Sequence, residues 1–211
     1  MDVANRLVFK RSLVHRGEVL YRSGDQFDSI YTVRNGFFKS TVLLEDGRRD
    51  QVTGFAMTGE VMGLDGIGPG LHSCNAVALI DSEVCAIPFE GLQHMAHEFP
   101  SLQQHFRKMM SREIVREEGV MLLLGSMYAE ERVAMFLLNL SRRFAACGFS
   151  ASEFNLRMSR DEIGSYLGMN METVSRIFSK FQEEGHIRVK QKFVRILDAA
   201  GLRKVIGRGS D

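Results

Sequence analysis

The sequence predicts an α+β chain with an antiparallel β jelly roll at its N-terminal side. One long helix follows, and a winged helix-turn-helix closes the chain. Three observations predict this. Between Val14 and about Pro88, short alternating runs are separated by glycines; from Leu102 to about Leu124, one helical run carries a narrow apolar seam. From Met158 to Ile187, two short helical patterns flank a tight turn. With 211 residues, 45% of them hydrophobic, the chain can bury a real core and most simply holds two domains. No apolar run approaches the length of a membrane span, and the opening MDVANRLVFKRS lacks the apolar core of a signal peptide. Three cysteines, Cys74, Cys85 and Cys147, none in a C-x-x-C pair, suit a reducing cytoplasm.

In the jelly-roll region VLYRSGD, SIYTVRNG, FFKSTVLLEDG, DQVTGFAMTGE and NAVALIDSEVCAIP each read as a strand ended by turn residues. Many short strands at regular spacing suit an antiparallel barrel or a double-sheet jelly roll. Such folds also house metal oxygenases, which want an H-x-H pair on a strand. None occurs here, so a cupin-like metalloenzyme is only a remote alternative. His94 and His97 share a helical face, but no third ligand stands at a motif spacing.

In the long run LQQHFRKMMSREIVREEGVMLLL, the residues Met110, Ile114, Glu117, Met121 and Leu124 alternate steps of four and three. That is the a/d rhythm of a two-stranded coiled coil, so a second copy of the chain is the expected partner. Glu117 is the exception on this seam. Across a two-fold axis it would meet its own copy, and like charges in a low-dielectric seam repel. Gly125-Ser126 and Tyr128 mark a hinge, and Ala129–Phe144 forms an amphipathic helix ended by the loop Cys147–Ser150. The expected domains are therefore 1–98, the β-roll; 99–125, the dimerisation helix; and 126–211, the winged helix-turn-helix.

Within 158–187, Ser159 and Glu162 form an S-x-x-E capping box, which starts a helix near Arg160. Gly168 is placed to stop it in a left-handed conformation, and Asn170 to cap a second helix running to Gly185. Val174, Ile177, Phe178 and Phe181 give that second helix a core-facing stripe. Glu172, Ser175 and Arg176 are left on an outward face near its N-terminus, where a helix-turn-helix reaches base edges. Arg donates two bonds to guanine, Glu accepts from cytosine, and Ser serves either strand. Ser159, Arg160, Asn170 and Thr173, at the two helix starts, are expected on the DNA backbone. His186–Lys190 and Phe193–Leu197 then alternate apolar with basic residues around Gln191-Lys192, a hairpin whose Arg188, Lys190 and Lys192 suit phosphate. The tail from Gly201, rich in Gly and Arg, is expected to fray. Residues 126–211 hold 14 Lys and Arg against 10 Asp and Glu, whereas 1–125 hold 13 against 16. A basic C-terminal part beside an acidic N-terminal one fits double-stranded DNA as the partner.

Several segments resemble a known family. Gly17-x-x-Leu20, Gly24-Asp25, Tyr31-x-Val33-x-x-Gly36 and Gly59-Glu60-x-x-Gly63 look like the cyclic-nucleotide-binding jelly roll of bacterial CRP/FNR regulators. Val84-Cys85-x-Ile87-Pro88-Phe89-Glu90, Ala129-Glu130-Glu131-Arg132 with Asn139–Phe144, and Glu172-Thr-Val-Ser-Arg176 resemble its fumarate-nitrate-reduction, oxygen-sensing branch. The resemblance implies a cytoplasmic homodimeric transcription regulator that reads a TTGAT inverted repeat and engages RNA polymerase. It also implies an acid, here Glu117, that holds the ligand-free protein as a monomer.

Two departures matter. A cyclic-nucleotide pocket needs an Arg to clamp the phosphate, and the corresponding stretch His72–Ala76 has none, so cyclic AMP is not expected to bind. The oxygen-sensing branch holds a 4Fe–4S cluster on four cysteines, three of them ahead of the barrel and one at the position of Cys85. Nothing before Cys74 can serve here. Either a longer native chain supplies upstream cysteines, with Cys85 as the fourth ligand, or the regulator senses something else. A regulator of the same fold gated by another small effector is the closer alternative. By itself the 211-residue chain is expected to hold no cluster.

Overall fold

Two four-stranded sheets enclose the N-terminal core in a computed structural model that describes residues 10–44 and 50–207. The opening MDVANRLVF, residues 45–49 at the end of FFKSTVLLEDG, and the last four residues of the tail lie outside the described residues. The strands are β1 (Lys10–Val14), β2 (Val19–Tyr21), β3 (Ser29–Asn35), β4 (Phe37–Leu43), β5 (Asp50–Met57), β6 (Val61–Met62), β7 (Asn75–Ala78) and β8 (Ser82–Pro88). One sheet runs β1-β8-β3-β6 and the other β2-β7-β4-β5, with antiparallel pairing throughout: the double-sheet jelly roll expected.

Three details differ from the sequence reading. NAVALIDSEVCAIP is not one strand; it breaks between β7 and β8, which lie in different sheets. Ser82 makes the break, its Oγ donating to the Ile80 carbonyl and accepting from the Phe37 N–H. It packs so closely under Gly36 (φ 139°) that any Cβ there would stand 2.1 Å from the Ser82 Oγ. β1 and β6 were not foreseen. KRSLV has no apolar alternation and VM is too short to show a period, so both are strands only because β8 and β3 pair with them.

Inside the roll Val14, Tyr21, Val33, Phe38, Ala76 and Val84 are among the buried side chains. A second cluster, built on Ile30 and Leu92, gathers Phe27, Phe89, Leu102 and Phe106 beneath α1 (Phe89–Glu98) and the start of α2 (Pro100–Ser126). The chain divides into two compact units, Met1–Glu113 and Ile114–Asp211, and α2 runs through the division. Along α2 only Leu123 is fully buried. The seam residues Ile114, Met121 and Leu124 are 57%, 68% and 38% exposed, Glu117 is exposed, and Met110 is half-covered. Water does not favour such an apolar stripe, and a partner surface is its ordinary remedy.

The second unit continues with α3 (Ala129–Ala146), β9 (Glu153–Asn155), α4 (Arg160–Leu167), α5 (Met171–Glu183), β10 (Ile187–Lys190), β11 (Phe193–Ile196) and α6 (Ala199–Val205). Val133, Phe136, Leu137 and Leu140 of α3 are buried, as are Val174, Ile177, Phe178 and Phe181 of α5. The tail corrects the expectation of fraying. Residues 201–205 belong to α6, capped by the Asp198 carboxylate on the Gly201 N–H, with Leu202 and Val205 in the core. Two buried apolar residues one turn apart outweigh the local Gly and Arg content. Among the described residues no helix is long and apolar enough to cross a membrane.

Candidate nucleic-acid interface

The two helices at the front of the second unit start and stop on short-range bonds. Ser159 Oγ accepts the Glu162 N–H at 3.1 Å while Glu162 Oε2 accepts the Ser159 N–H at 2.7 Å, a complete capping box. Gly168 ends α4 at φ 65°. Asn170 Oδ1 takes the Thr173 N–H at 2.8 Å and starts α5. Between them the chain turns tightly: a Cβ on Gly164 would come within 2.5 Å of the Met169 carbonyl. The side chains of Ser159 and Asn170 are therefore engaged as caps. What they leave toward solvent are the N-terminal ends of two helices, whose unpaired N–H groups suit an anion.

On α5, Glu172, Ser175 and Arg176 are all exposed, Thr173 is half-buried, and the stripe between them is buried. Arg160 is half-buried, its guanidinium 3.7 Å from the centroid of Phe178. Burial lowers its pKa from the ordinary value.

The wing is a three-stranded sheet, β10-β11-β9, rather than a bare hairpin. Arg188 and Arg195 stand in register, and Val189 opposite Val194. Gln191 turns the hairpin with φ 56°. Arg188, Lys190 and Lys192 are exposed, and the Lys192 ammonium donates to the Arg157 carbonyl at 3.2 Å. Arg195 pairs with Glu153 of β9, a strand too short for the sequence reading to find, so this wing cation is partly neutralised. Helix α5 also grips the wing directly, Gln182 Oε1 accepting the Val189 N–H at 2.8 Å.

Arg132 ties these parts to the end of the long helix. Its guanidinium donates to three carbonyls: Leu124 at 2.8 Å, Met127 at 2.9 Å and Leu167 at 3.0 Å. These are the orphan acceptors at and just after the C-terminus of α2 and at that of α4, where a cation is favoured. Lys180 of α5 adds a second tie, to Glu130 of α3 at 2.7 Å. Sequence reasoning assigned neither residue a role, although Arg132 lay within a segment noted for its resemblance.

A double-sheet roll followed by a long helix and a winged helix-turn-helix matches known proteins over its whole length. The cyclic nucleotide-binding domain model matches residues 12–99 and the Crp-like helix-turn-helix domain model residues 131–205. The chain is 49% identical over 210 residues to the transcriptional regulatory protein btr of Bordetella pertussis, spanning 100% of this chain and 86% of that protein. It belongs to the CRP/FNR family of transcriptional regulators.

Other members agree. The fumarate and nitrate reduction regulatory protein of Escherichia coli is 41% identical over 207 residues, 98% of this chain and 82% of that one. The structure of FixK2 from Bradyrhizobium japonicum superposes with a TM-score of 0.86 at 32% identity, covering 94% of this chain and 98% of that chain. These relatives are regulators, so the enzyme alternative falls.

The interior of this CRP/FNR roll has its own chemistry. His72 is buried with its ring 3.8 Å from that of Tyr21, and its Nδ1 lies 3.5 Å from Asp65 Oδ1. The other Asp65 oxygen accepts the Ser73 N–H at 2.7 Å and stands 3.6 Å from the Cys74 thiol. Burial, then the Asp65 charge, push that thiol up to about 12, so Cys74 stays protonated and unreactive. Cys85 is buried in β8, opposite Arg11 of β1 and Thr32 of β3. A thiolate-held 4Fe–4S cluster takes four cysteines and the sequence has three. Among the described residues no group of three or more His, Cys, Asp or Glu could hold a metal ion. The residues of this chain do not by themselves fit a cluster.

Proposed function

We propose that this CRP/FNR regulator binds a TTGAT-type inverted repeat in double-stranded DNA as a homodimer paired along α2. Glu172, Ser175 and Arg176 read bases. Ser159, Arg160, Asn170, Thr173, Arg188, Lys190 and Lys192 hold the backbone. The observation that carries the reading is the split of α5, with an apolar stripe wholly buried and the three base-reading side chains exposed at its capped N-terminal end. The exposed seam on α2 supports pairing, and two subunits reading one palindrome make pairing and affinity the same event. As in other regulators of this kind, RNA polymerase is the further partner.

The signal in this reading is oxygen or redox state, by kinship with the fumarate and nitrate reduction regulator. Cys85 would be one ligand of a cluster only with three cysteines from outside this chain. Cyclic AMP is not the effector. The interior offers a carboxylate, Asp65, beside His72 and Tyr21, where a cyclic phosphate would want a bidentate cation.

Fluorescence anisotropy with a duplex carrying the TTGAT inverted repeat and with a scrambled duplex tests the first part. Preference for the repeat by a factor of at least about 10³ is expected, and equal affinity overturns it. Ultraviolet–visible spectra of protein purified without air test the second part, on this chain and on any longer form whose upstream residues supply three cysteines. Oxygen-bleachable absorption that Cys85→Ser abolishes is expected only in the longer form.

A further inference from the structure

His186 is the one histidine of the second unit and stands where three of its elements meet. Its N–H donates to the Phe181 carbonyl in the last turn of α5, and its carbonyl accepts the N–H groups of Leu197 and Asp198, between β11 and α6. The side chain is only 15% exposed, its ring edge-on to Phe181. Carboxylates flank both ring nitrogens, with Glu184 Oε2 3.5 Å from Nε2 and Asp198 Oδ2 3.3 Å from Nδ1, although Nδ1 is buried and, among the described residues, has no hydrogen-bond partner as the ring stands. The ring is seated against Gly201, where any Cβ would come within 2.4 Å of Nδ1.

We infer that His186 is a proton-operated clasp that positions the wing against the recognition helix, so that DNA binding takes up a proton. Only the imidazolium donates from both nitrogens. In that form it bridges Glu184 at the end of α5 to Asp198 at the start of α6, with the wing held between. The neutral ring turns a lone pair toward one of the two carboxylates, and that side of the clasp opens. The other charges nearby do not replace it. Lys180 lies 4.0 Å from Glu184 but is committed to Glu130, and Arg195 of β11 is paired with Glu153. Arg188 is exposed on β10, and the cations of α6, Arg203 and Lys204, lie in its last turn. The Gly201 N–H, ahead of His186 itself, holds the Asp198 carboxyl below its ordinary range, so Asp198 stays ionised at neutral pH.

The inference rests on the duplex-binding reading, and the test separates the two. Affinity of the full chain for the TTGAT repeat is measured from pH 6 to pH 8 at fixed salt, alongside His186→Gln and Asp198→Asn. Asparagine keeps the cap on Gly201 and removes the charge, so it carries the test if the glutamine variant does not fold. Wild type should weaken about tenfold across the range, the scale of one charge-assisted hydrogen bond, and both variants should stay flat. Identical profiles in all three overturn the clasp. If the repeat is bound at no pH, the duplex reading fails, and melting decides the clasp without DNA. The midpoint gap between wild type and His186→Gln should then widen by about 4 °C or more from pH 8 to pH 6, and a constant gap overturns it.

Discussion

The guanidinium of Arg160 lies over the ring of Phe178, 3.7 Å from its centroid, so the first residue of α4 is packed on the middle of α5. A half-buried Arg in that place sets the angle between the two helices as well as offering donors to phosphate. Arg160→Ala should therefore cost about 1–2 kcal/mol of stability in addition to DNA affinity. Chemical denaturation of the free protein checks this, because a residue that only touched phosphate would leave the unfolding midpoint unchanged.

Arg176 is exposed on the same helix, one turn beyond Glu172. Its truncation to Ala should lose about 1–3 kcal/mol on the TTGAT repeat and little on random DNA, the signature of a bidentate contact to guanine. Competition binding with both duplexes reads the difference. Equal loss on the two would assign Arg176 to the backbone.

Wing cations should behave in the opposite way. Neutralising Arg188 or Lys190 should weaken every sequence alike and flatten the plot of log affinity against log salt by about one unit. Lys192→Ala should do the same and also loosen the turn, because its ammonium holds the Arg157 carbonyl. Arg195→Ala should change the slope least, since Glu153 already offsets its charge. A slope unaltered by Arg188→Ala would place that residue away from the duplex.

Glu117 stands exposed on α2 among apolar seam residues that are exposed with it. Burying Met110, Ile114, Met121 and Leu124 against a second copy is worth several kcal/mol at about 25 cal/mol per Å². In the proposed pairing two facing Glu117 carboxylates would oppose this by a similar amount, since like charges brought together in a low-dielectric seam repel. Balanced terms leave an equilibrium that a modest signal tips. Glu117→Ala should tighten the dimer in sedimentation equilibrium and raise DNA affinity with no inducer. The same association constant in both proteins would make Glu117 a solvated bystander.

What could be read from the sequence was whatever is settled within about four residues. The capping box of Ser159 and Glu162, the left-handed stop at Gly168, the cap at Asn170 and the buried stripe of α5 each depend on atoms held close by the covalent chain. Residue type and spacing therefore state them directly. The same holds for the alternating strands long enough to show a period. Tertiary structure alone decided the rest. β1, β6 and β9 are too short or too irregular to declare themselves and exist because a neighbouring strand pairs with them. α6 forms because Leu202 and Val205 find a core. Arg132 is linked to Leu167, 35 residues away, and Lys180 to Glu130, 50 residues away. His186 meets Asp198 only once the wing has folded between them. Partners so far apart are chosen by how the elements pack to bury apolar surface, and no local pattern of residues encodes that choice.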